Sequence, residues 1–304
     1  MLEKLFDIYV EEVTPTKGRC SRAHDRAATQ MFLRFFGRNR DPATLSQRDW
    51  DRFIRERRTG RIGPSGKPVS DRMVEHDLKF LIAVLNWAGR SRDDQGRLLL
   101  ERNPLQGLKR PTEKNPTRVV LAEDEYQALL GVSRRVGWRF HVALVLAHET
   151  GHRIGAVRQL RWSDIDFEGR EVRWRAEHEK TGHEHVTPLT DEALTALEEA
   201  RRTSAGTKDA PVLPSSRDAT RSMSPMAAYT WWKKAETLAG LEPKPRRGWH
   251  SLRRKFASDL MDLPLKVLCE LGGWKDAQTM LRCYQRPDAG QLRTALEGRR
   301  RARG

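Results

Sequence analysis

The chain has 304 residues and a mass of 35.1 kDa. A chain of this length usually has more than a single hydrophobic core, so we expect two domains. Its 57 Lys and Arg against 41 Asp and Glu give a net charge of +16, which favours a polyanionic partner. A hydrophobic content of 38% excludes global disorder, and no apolar stretch is long enough for a membrane span. The acidic N-terminus does not resemble a secretory signal. The spacing of the three cysteines fits no disulfide framework, which indicates a reduced, cytoplasmic protein.

Helical periodicity dominates the first part of the chain. Apolar residues recur there at three- and four-residue spacing, which predicts four helices. The apolar stripes are Leu2, Leu5, Phe6, Tyr9 and Val10; Ala27, Met31, Phe32, Phe35 and Phe36; Trp50, Phe53 and Ile54; and Val74, Leu78, Leu81, Leu85 and Ala88. Ser70 is expected to cap the fourth helix. Prolines between Asn103 and Thr117 predict a linker, and hence domains over residues 1–110 and 118–304.

The second domain mixes helical and extended patterns. Acidic residues suggest a first helical turn at 123–125, and the apolar run 140–147 predicts a buried helix that ends at Gly151. A period of two through Val172, Trp174 and Ala176, then a turn at 181–182 and a strand over 186–189, predicts a β-hairpin. Two further helices are framed by Ser224, Pro225 and Gly240, and by Pro264 and Gly272. We therefore expect a mainly α protein with a small sheet.

One segment matches the zinc-protease pattern H-E-x-x-H, with His148, Glu149 and His152. The position of a third ligand in the longer pattern holds Arg158, a cation that does not bind metal. Gly151 also lies inside the turn that would have to hold both histidines on one helix face. A zinc protease stays an alternative, and histidines without a metal are the simpler interpretation.

The same segment belongs to a second constellation of four sequence boxes. They are Thr150-Gly151-His152-Arg153-Ile154-Gly155, His250-Ser251-Leu252-Arg253-Arg254, Leu271-Gly272-Gly273-Trp274 and Tyr284. In this order and spacing, the boxes resemble the tyrosine recombinase or phage integrase family. The resemblance covers roughly residues 120–290, and the N-terminal helices agree with the family's core-binding domain only in size and helicity. It implies a two-domain DNA clamp with a helical core-binding domain and an α+β catalytic domain.

Metal-free phosphodiester transfer needs a nucleophile, a cationic clamp on the phosphate oxygens and an acid for the leaving oxygen. The resemblance implies that Arg153 and Arg253 form the clamp, which suits guanidinium because its planar fork grips two oxygens. It implies proton transfer by His250, three residues before Arg253 and therefore on the same helix face. Lys180, at the hairpin turn, would protonate the departing 5′ oxygen.

The resemblance also assigns the remaining two site residues. Trp274 stands where many relatives have a second histidine, and its indole would position groups without carrying a proton. Tyr284 would attack phosphorus to form a 3′-phosphotyrosyl bond. Tyr284 lies one residue farther from Trp274 than is common, and Cys283 takes the usual place.

A second departure concerns the acid that orients the catalytic histidine. The family usually has Glu or Asp three residues after the first arginine, where this chain has Ala156. Another acid, such as Asp259, would have to serve instead, or the histidine is held more loosely.

Several basic residues beside the proposed site are candidate phosphate contacts: Arg246, Arg247 and Arg254. The segment from Asp288 through Leu292 and Leu296 to Arg301 resembles a short basic helix, and the family's tail docks on a neighbouring protomer. The resemblance implies double-stranded DNA attachment sites as partner, a homo-tetramer on DNA, accessory DNA-bending proteins, and no cofactor or metal.

The expected function is that of a site-specific recombinase or integrase that works through a Holliday junction, in the cytoplasm with the nucleoid. The alternative with the most similar chemistry is nicking and closing of DNA, as carried out by type IB topoisomerases. A DNA-binding protein of the same fold that has lost catalysis is the alternative suggested by Ala156 and the tyrosine offset.

Overall fold

The computed structural model describes residues 1–63, 65–113, 118–179, 182–204, 206–284, 287, 290, 292–294 and 296–297. The chain divides into two compact units, Met1–Pro116 and Thr117–Gly304, and each has its own hydrophobic core. In the part of the chain described, no helix is both long and apolar enough to cross a membrane.

The first unit consists of helices whose apolar stripes meet in one core. Its helices are α1 (Leu2–Glu12), α2 (Arg19–Phe36), α3 (Gln47–Arg58) and α4 (Asp71–Ala88). Phe6, Phe32 and Phe53 are fully buried, with the Phe32 and Phe53 rings 4.8 Å apart. The four predicted helices are confirmed. Ser70 precedes α4 as expected, but its side chain makes no capping hydrogen bond.

The expected linker is shorter than the proline pattern predicts. Leu105 is fully buried in the core of the first unit, and the Asn103 amide donates to Asn86 Oδ1 at 2.7 Å. The Trp50 indole donates to the Lys109 carbonyl at 3.2 Å. Residues 103–109 therefore pack as an irregular segment of the first unit, because the Leu105 side chain and these hydrogen bonds tie them to its core.

The second unit surrounds the apolar helix α6 (Trp138–Glu149), which confirms the predicted buried helix. The other helices of this unit are α5 (Glu123–Val136), α7 (Ile154–Val157), α8 (Asp191–Thr203), α9 (Pro225–Leu238), α10 (Trp249–Asp259), α11 (Leu265–Gly272) and α12 (Ala277–Cys283). Ser224 Oγ accepts from the Ala227 N–H at 3.1 Å, so the predicted cap of α9 is present. Helix α8 was not predicted, although Thr190 caps it through the Ala193 N–H.

The sheet has three antiparallel strands in the order β1 (Ile165–Asp166), β2 (Glu171–Trp174) and β3 (His185–Pro188). Val172 and Trp174 face the core as the alternation predicts, and the Trp174 indole donates to Thr187 Oγ1 at 2.8 Å. The prediction for Ala176 was wrong, since it starts a 3₁₀ turn that ends the strand. Thr181, in the expected turn, lies outside the described residues.

Candidate functional site

The H-E-x-x-H histidines lie on different structural elements. Helix α6 ends at Glu149, and Gly151 has a left-handed φ of +65°. The His148 ring stacks on Tyr126 at 3.7 Å, whereas His152 stacks on Trp174 at 3.7 Å. Among the described residues, three metal-ligating side chains converge only at His24, His76 and Asp77 in the first unit. The zinc-protease alternative is therefore wrong for this segment.

Arg153 follows that turn and occupies the N-cap position of α7. Its Nη1 donates to Glu179 Oε2 at 3.0 Å. The Glu179 side chain is 2% exposed and that of Arg153 is 19% exposed, so the ion pair is largely shielded while the arginine keeps access to solvent. Lys180, the predicted acid, lies outside the described residues.

Arg253 lies on α10 and is 1% exposed. Its Nη1 donates to the carbonyls of Gly151 at 2.6 Å and Gly272 at 2.8 Å. These carbonyls belong to the ends of α6 and α11, where backbone acceptors lack helical partners. Nε and Nη2 of Arg253 are buried without a hydrogen-bond partner in the described part of the chain. The same side chain therefore ties two segments together and keeps two donors for a ligand.

The Arg253 guanidinium remains charged at neutral pH despite its burial. Loss of solvation, followed by repulsion from Arg153, lowers the pKa of Arg253 to about 10. Attraction from Tyr284 and Glu179 acts in the opposite direction. The guanidinium carbon lies 3.9 Å from the centre of the Trp274 ring and 5.1 Å from that of Tyr284. Such stacking on aromatic faces is a favourable environment for a desolvated guanidinium.

Trp274 reaches Arg253 because two glycines precede it. A Cβ on Gly272 would come within 1.8 Å of the Trp274 ring, and Gly273 adopts a left-handed φ of +62°. The indole is 6% exposed and its Nε1 has no partner among the described residues. A tryptophan in this place packs against the arginine and offers one hydrogen-bond donor.

Tyr284 directly follows α12 as its C-cap residue and is half-buried in a small apolar cluster with Trp274, Met280 and Leu268. Its ring centre is 5.4 Å from that of Trp274. The Arg118 guanidinium donates to the carbonyl of Arg282 near this end of the helix. The longer spacing from Trp274 is thus compatible with a phenol beside Arg253.

His250 lies in the first turn of α10, where it is exposed. Ser251, one residue later, fixes the start of this helix, because its Oγ accepts from the Gly248 N–H at 3.2 Å. His250 and Arg253 are three residues apart on the same helix, as predicted. The structure therefore brings Arg153, Arg253, Trp274 and Tyr284 together and places His250 one turn from Arg253.

The three candidate phosphate contacts differ in their surroundings. Arg247 is buried and pairs with Glu236 at 2.8 Å and Glu125 at 2.9 Å, so its assignment as a surface phosphate contact was wrong. Two carboxylates hold this guanidinium inside the unit. Arg254 donates to the Val119 carbonyl at 3.0 Å, and Arg246 is exposed at a left-handed φ of +65°. Arg246 is thus the most accessible of the three.

The acid that the first arginine contacts was missed from the sequence. Asp259, suggested as a substitute for the missing acid at Ala156, instead pairs with Lys255 at 2.8 Å and is 49% exposed. The acid that contacts Arg153 is Glu179. The available signal was a glutamate directly before the predicted turn lysine.

A buried histidine pair beside the site was missed as well. His152 Nε2 lies 2.8 Å from His185 Nε2, and a Cβ on Gly273 would come within 2.5 Å of the His185 ring. Burial, then Arg253 and His185, lower the pKa of His152 well below its usual value. Burial also lowers the pKa of His185, and the pair forms the surface against which the Gly273 turn packs.

Comparison with known proteins agrees with this architecture. The model of the phage integrase family matches residues 119–291. A putative integrase/recombinase of Haemophilus influenzae is 24% identical over 95% of this chain and 88% of its own length. Among solved structures, the Tn1549 transposon integrase with a circular intermediate DNA has a TM-score of 0.72 at 15% identity, covering 97% of this chain and 98% of that one.

A second structural relative is the lambda integrase tetramer bound to a Holliday junction. Its TM-score is 0.70 at 17% identity, with 91% of this chain and 78% of that chain covered. At such identities the structural likeness shows the fold, a mainly helical two-unit arrangement with a small sheet. The family match covers more than half of the chain and includes all four sequence boxes. The chain belongs to the phage integrase family and is an enzyme of the tyrosine recombinase type.

Proposed function

We propose that this site-specific recombinase cuts a DNA strand by attack of the Tyr284 phenol on a phosphate held by Arg153 and Arg253. The observation that carries the proposal is the position of the Arg253 guanidinium, 3.9 Å from the Trp274 ring and 5.1 Å from the Tyr284 ring. The cation of α10 and the phenol that follows α12 thus lie close together, although the two residues are 31 positions apart in the sequence.

The chemistry follows from these groups. A bond forms between the Tyr284 oxygen and phosphorus, and the bond from phosphorus to the 5′ oxygen breaks. The guanidinium donors stabilise the charge that builds up on the non-bridging oxygens. The unpartnered Nε and Nη2 of Arg253 supply two such donors. His250 takes part in proton transfer and Lys180 protonates the leaving oxygen. Attack by a 5′ hydroxyl on the phosphotyrosyl bond rejoins the strand, so no external energy source is needed.

Tyr284 is favoured over its neighbour Cys283 as the nucleophile. The tyrosine ring packs with Trp274 and lies close to Arg253, which is the group that would hold the phosphate. A thiol would also form a poor phosphothioester.

The DNA partner is proposed from charge and from the relatives. A net charge of +16 suits a polyanion, and phosphate contacts make such binding strongly dependent on salt. The solved relatives are bound to DNA in their structures. We assign phosphate contact to the exposed Arg246, and DNA clamping to the two units together. The site of action is then the cytoplasm, on DNA attachment sites and with accessory bending proteins.

Assembly as a tetramer is proposed from exposed leucines. Leu292 and Leu296, in the helical part of the tail that the structure describes, are 55% and 65% exposed. Leu265 and Val267 on α11 are 40% and 45% exposed. Exchange of the tail between protomers would cover apolar side chains of this kind. The lambda integrase, a relative in fold, is a tetramer in its structure on a Holliday junction.

The test is covalent trapping on a suicide duplex built from the DNA that flanks the gene. Wild-type protein should form an adduct that survives denaturation, and Tyr284→Phe should form none, because the phenol oxygen is the attacking atom. Cys283→Ser and Tyr229→Phe are matched controls, since Tyr229 is a 58% exposed tyrosine on α9. Both controls should retain the adduct.

Each other outcome contradicts the proposal in a defined way. Absence of any adduct on a duplex that the protein binds specifically would favour a DNA-binding protein without catalysis. An adduct lost in Cys283→Ser would transfer the role to the thiol. Relaxation of supercoiled DNA without joining of two duplexes would favour a nicking and closing enzyme.

A further inference from the structure

Two cations occupy the centre of the site, and α7 provides no acid to offset them. Arg153 repels Arg253, as the effect of Arg153 on the pKa of Arg253 shows. Ala156, three residues after Arg153, is buried at 3% exposure and contributes only a methyl group. Burial of like charges without a counter-charge is costly, so another element has to provide the carboxylate.

Glu179 is the carboxylate that contacts Arg153, and its backbone is fixed on both sides. Its N–H donates to the Ala176 carbonyl at 3.2 Å, and its carbonyl accepts from the Gly182 N–H at 2.9 Å. Its Oε2 accepts from Arg153 at 3.0 Å. Oε1 is buried without a partner in the part of the chain described, which is unusual for an ionised carboxylate. The pairing with Arg153 is therefore the contact that accounts for the buried charge.

The contact uses one edge of the guanidinium. A guanidinium has five N–H donors in a rigid plane, so fixing Nη1 sets the direction of the others. Arg153 is 19% exposed while Glu179 is 2% exposed, so the carboxylate holds the arginine from the protein side. The solvent side of the fork remains for a phosphate.

We propose that Glu179 is a positioning residue for Arg153, supplied by the hairpin because α7 has no acid at Ala156. It orients Arg153 for the phosphate and offsets the repulsion between Arg153 and Arg253. Glu179 directly precedes Lys180, the proposed acid, in the sequence. This inference rests on the proposed function, and it adds a residue to which the sequence boxes assign no role.

The test is the single-turnover rate of adduct formation at saturating protein, together with the DNA dissociation constant. Glu179→Gln keeps the shape of the side chain and removes its charge, so we expect the single-turnover rate to fall by about tenfold or more. Loss of a group that donates directly to the transition state typically lowers a rate by about 10²- to 10³-fold, which is the upper end of this expectation. The dissociation constant should change by less than about threefold, because many phosphate contacts share the affinity. Glu184→Gln is the matched control, since Glu184 is a 47% exposed acid on the same hairpin that pairs with Arg173.

A second-site variant separates orientation from mere stability. Ala156→Glu in the Glu179→Gln background returns an acid to the position three residues after Arg153, and should recover most of the lost rate, whereas Ala156→Gln should not. If the second-site variants do not fold, the single-turnover rates of Glu179→Gln and Glu184→Gln are compared, provided that the two variants have equal Tm. A loss of rate in Glu179→Gln alone then supports the inference. A Glu179→Gln rate within twofold of wild type, or an equal loss in Glu184→Gln, overturns the inference. Failure of wild-type protein to form any adduct would instead contradict the proposed function.

Discussion

The buried arginine is the residue on which the site depends. Arg253 is nearly inaccessible to solvent, yet burial lowers its pKa only to about 10, so it stays charged at neutral pH. Two backbone carbonyls and the Trp274 ring replace the water that it lost. A charge that is already desolvated and held in place costs little reorganisation when charge develops on a phosphate. The structural role of Arg253 and its proposed catalytic role therefore use different donors of one side chain.

His152 should make the stability of the second unit sensitive to acid. Burial, then Arg253 and His185, hold the pKa of His152 well below its usual value, while the unfolded chain has an ordinary pKa of about 6.5. Below pH 6.5 the unfolded state therefore binds more protons, and stability declines as pH falls toward the folded pKa. We expect the free energy of unfolding, and Tm with it, to fall between about pH 7 and pH 5.5, with a slope that approaches about 1.4 kcal/mol per pH unit for this histidine as the unfolded chain becomes protonated.

The variant His152→Gln keeps hydrogen-bonding capacity but cannot titrate, so its Tm should decline less steeply over the same range. His178→Gln is the control, because His178 lies in the 3₁₀ turn beside the exposed Glu177. Thermal unfolding followed by circular dichroism measures the slope. Equal slopes in His152→Gln and wild type would show that the buried histidine is not the source.

At the scale of elements, the turn after α6 connects three parts of the site. Gly151 ends this helix, its carbonyl accepts from Arg253 on α10, and Arg153 follows two residues later. The left-handed φ of +65° lets the chain reverse without a side chain between α6 and α10. Helix termination here is thus part of the construction of the site.

Gly151→Ala should destabilise the second unit. The left-handed backbone costs a residue with Cβ about 1–2 kcal/mol, and the new Cβ would lie 2.4 Å from Cδ1 of Phe256. Displacing that ring costs about 1–3 kcal/mol more. We expect a fall in Tm of about 4 °C or more. Gly131→Ala in α5 is the matched control, since no atom lies within 4 Å of its Cβ, and it should be neutral or stabilising by up to about 1 kcal/mol. Similar Tm values for the two variants would contradict this account of the turn.

At the scale of the whole molecule, the chain forms two units, and each unit buries its own apolar residues in a core of its own. The exposed tail leucines are the residues that we propose for contacts between copies of the chain.

Replacing the two tail leucines should weaken assembly more than cleavage. In Leu292→Ser/Leu296→Ser, each protomer loses two apolar side chains, each with about 1.5–3 kcal/mol of burial available. We expect the tetramer to dissociate at concentrations at least about tenfold higher, and joining of two duplexes to decrease in parallel. Mass measurement of the DNA complex and a recombination assay test this. The control Arg293→Ser/Glu297→Ser leaves the leucines in place. An intact tetramer in the leucine variant would contradict the proposed tail exchange.

The sequence by itself determined the helices of the first unit, the apolar helix α6, the hairpin and the order of the family boxes, because periodicity and residue spacing are local properties. Only the tertiary structure decided which charges meet. Arg247 pairs with Glu125, 122 residues away, and Arg153 pairs with Glu179 rather than with an acid near Ala156. Only the structure shows that residues 103–109 pack against the first core rather than extend as a linker, since Leu105 is held by residues elsewhere in the chain. Burial and ion pairing depend on neighbours that are distant in sequence, and no local pattern encodes them.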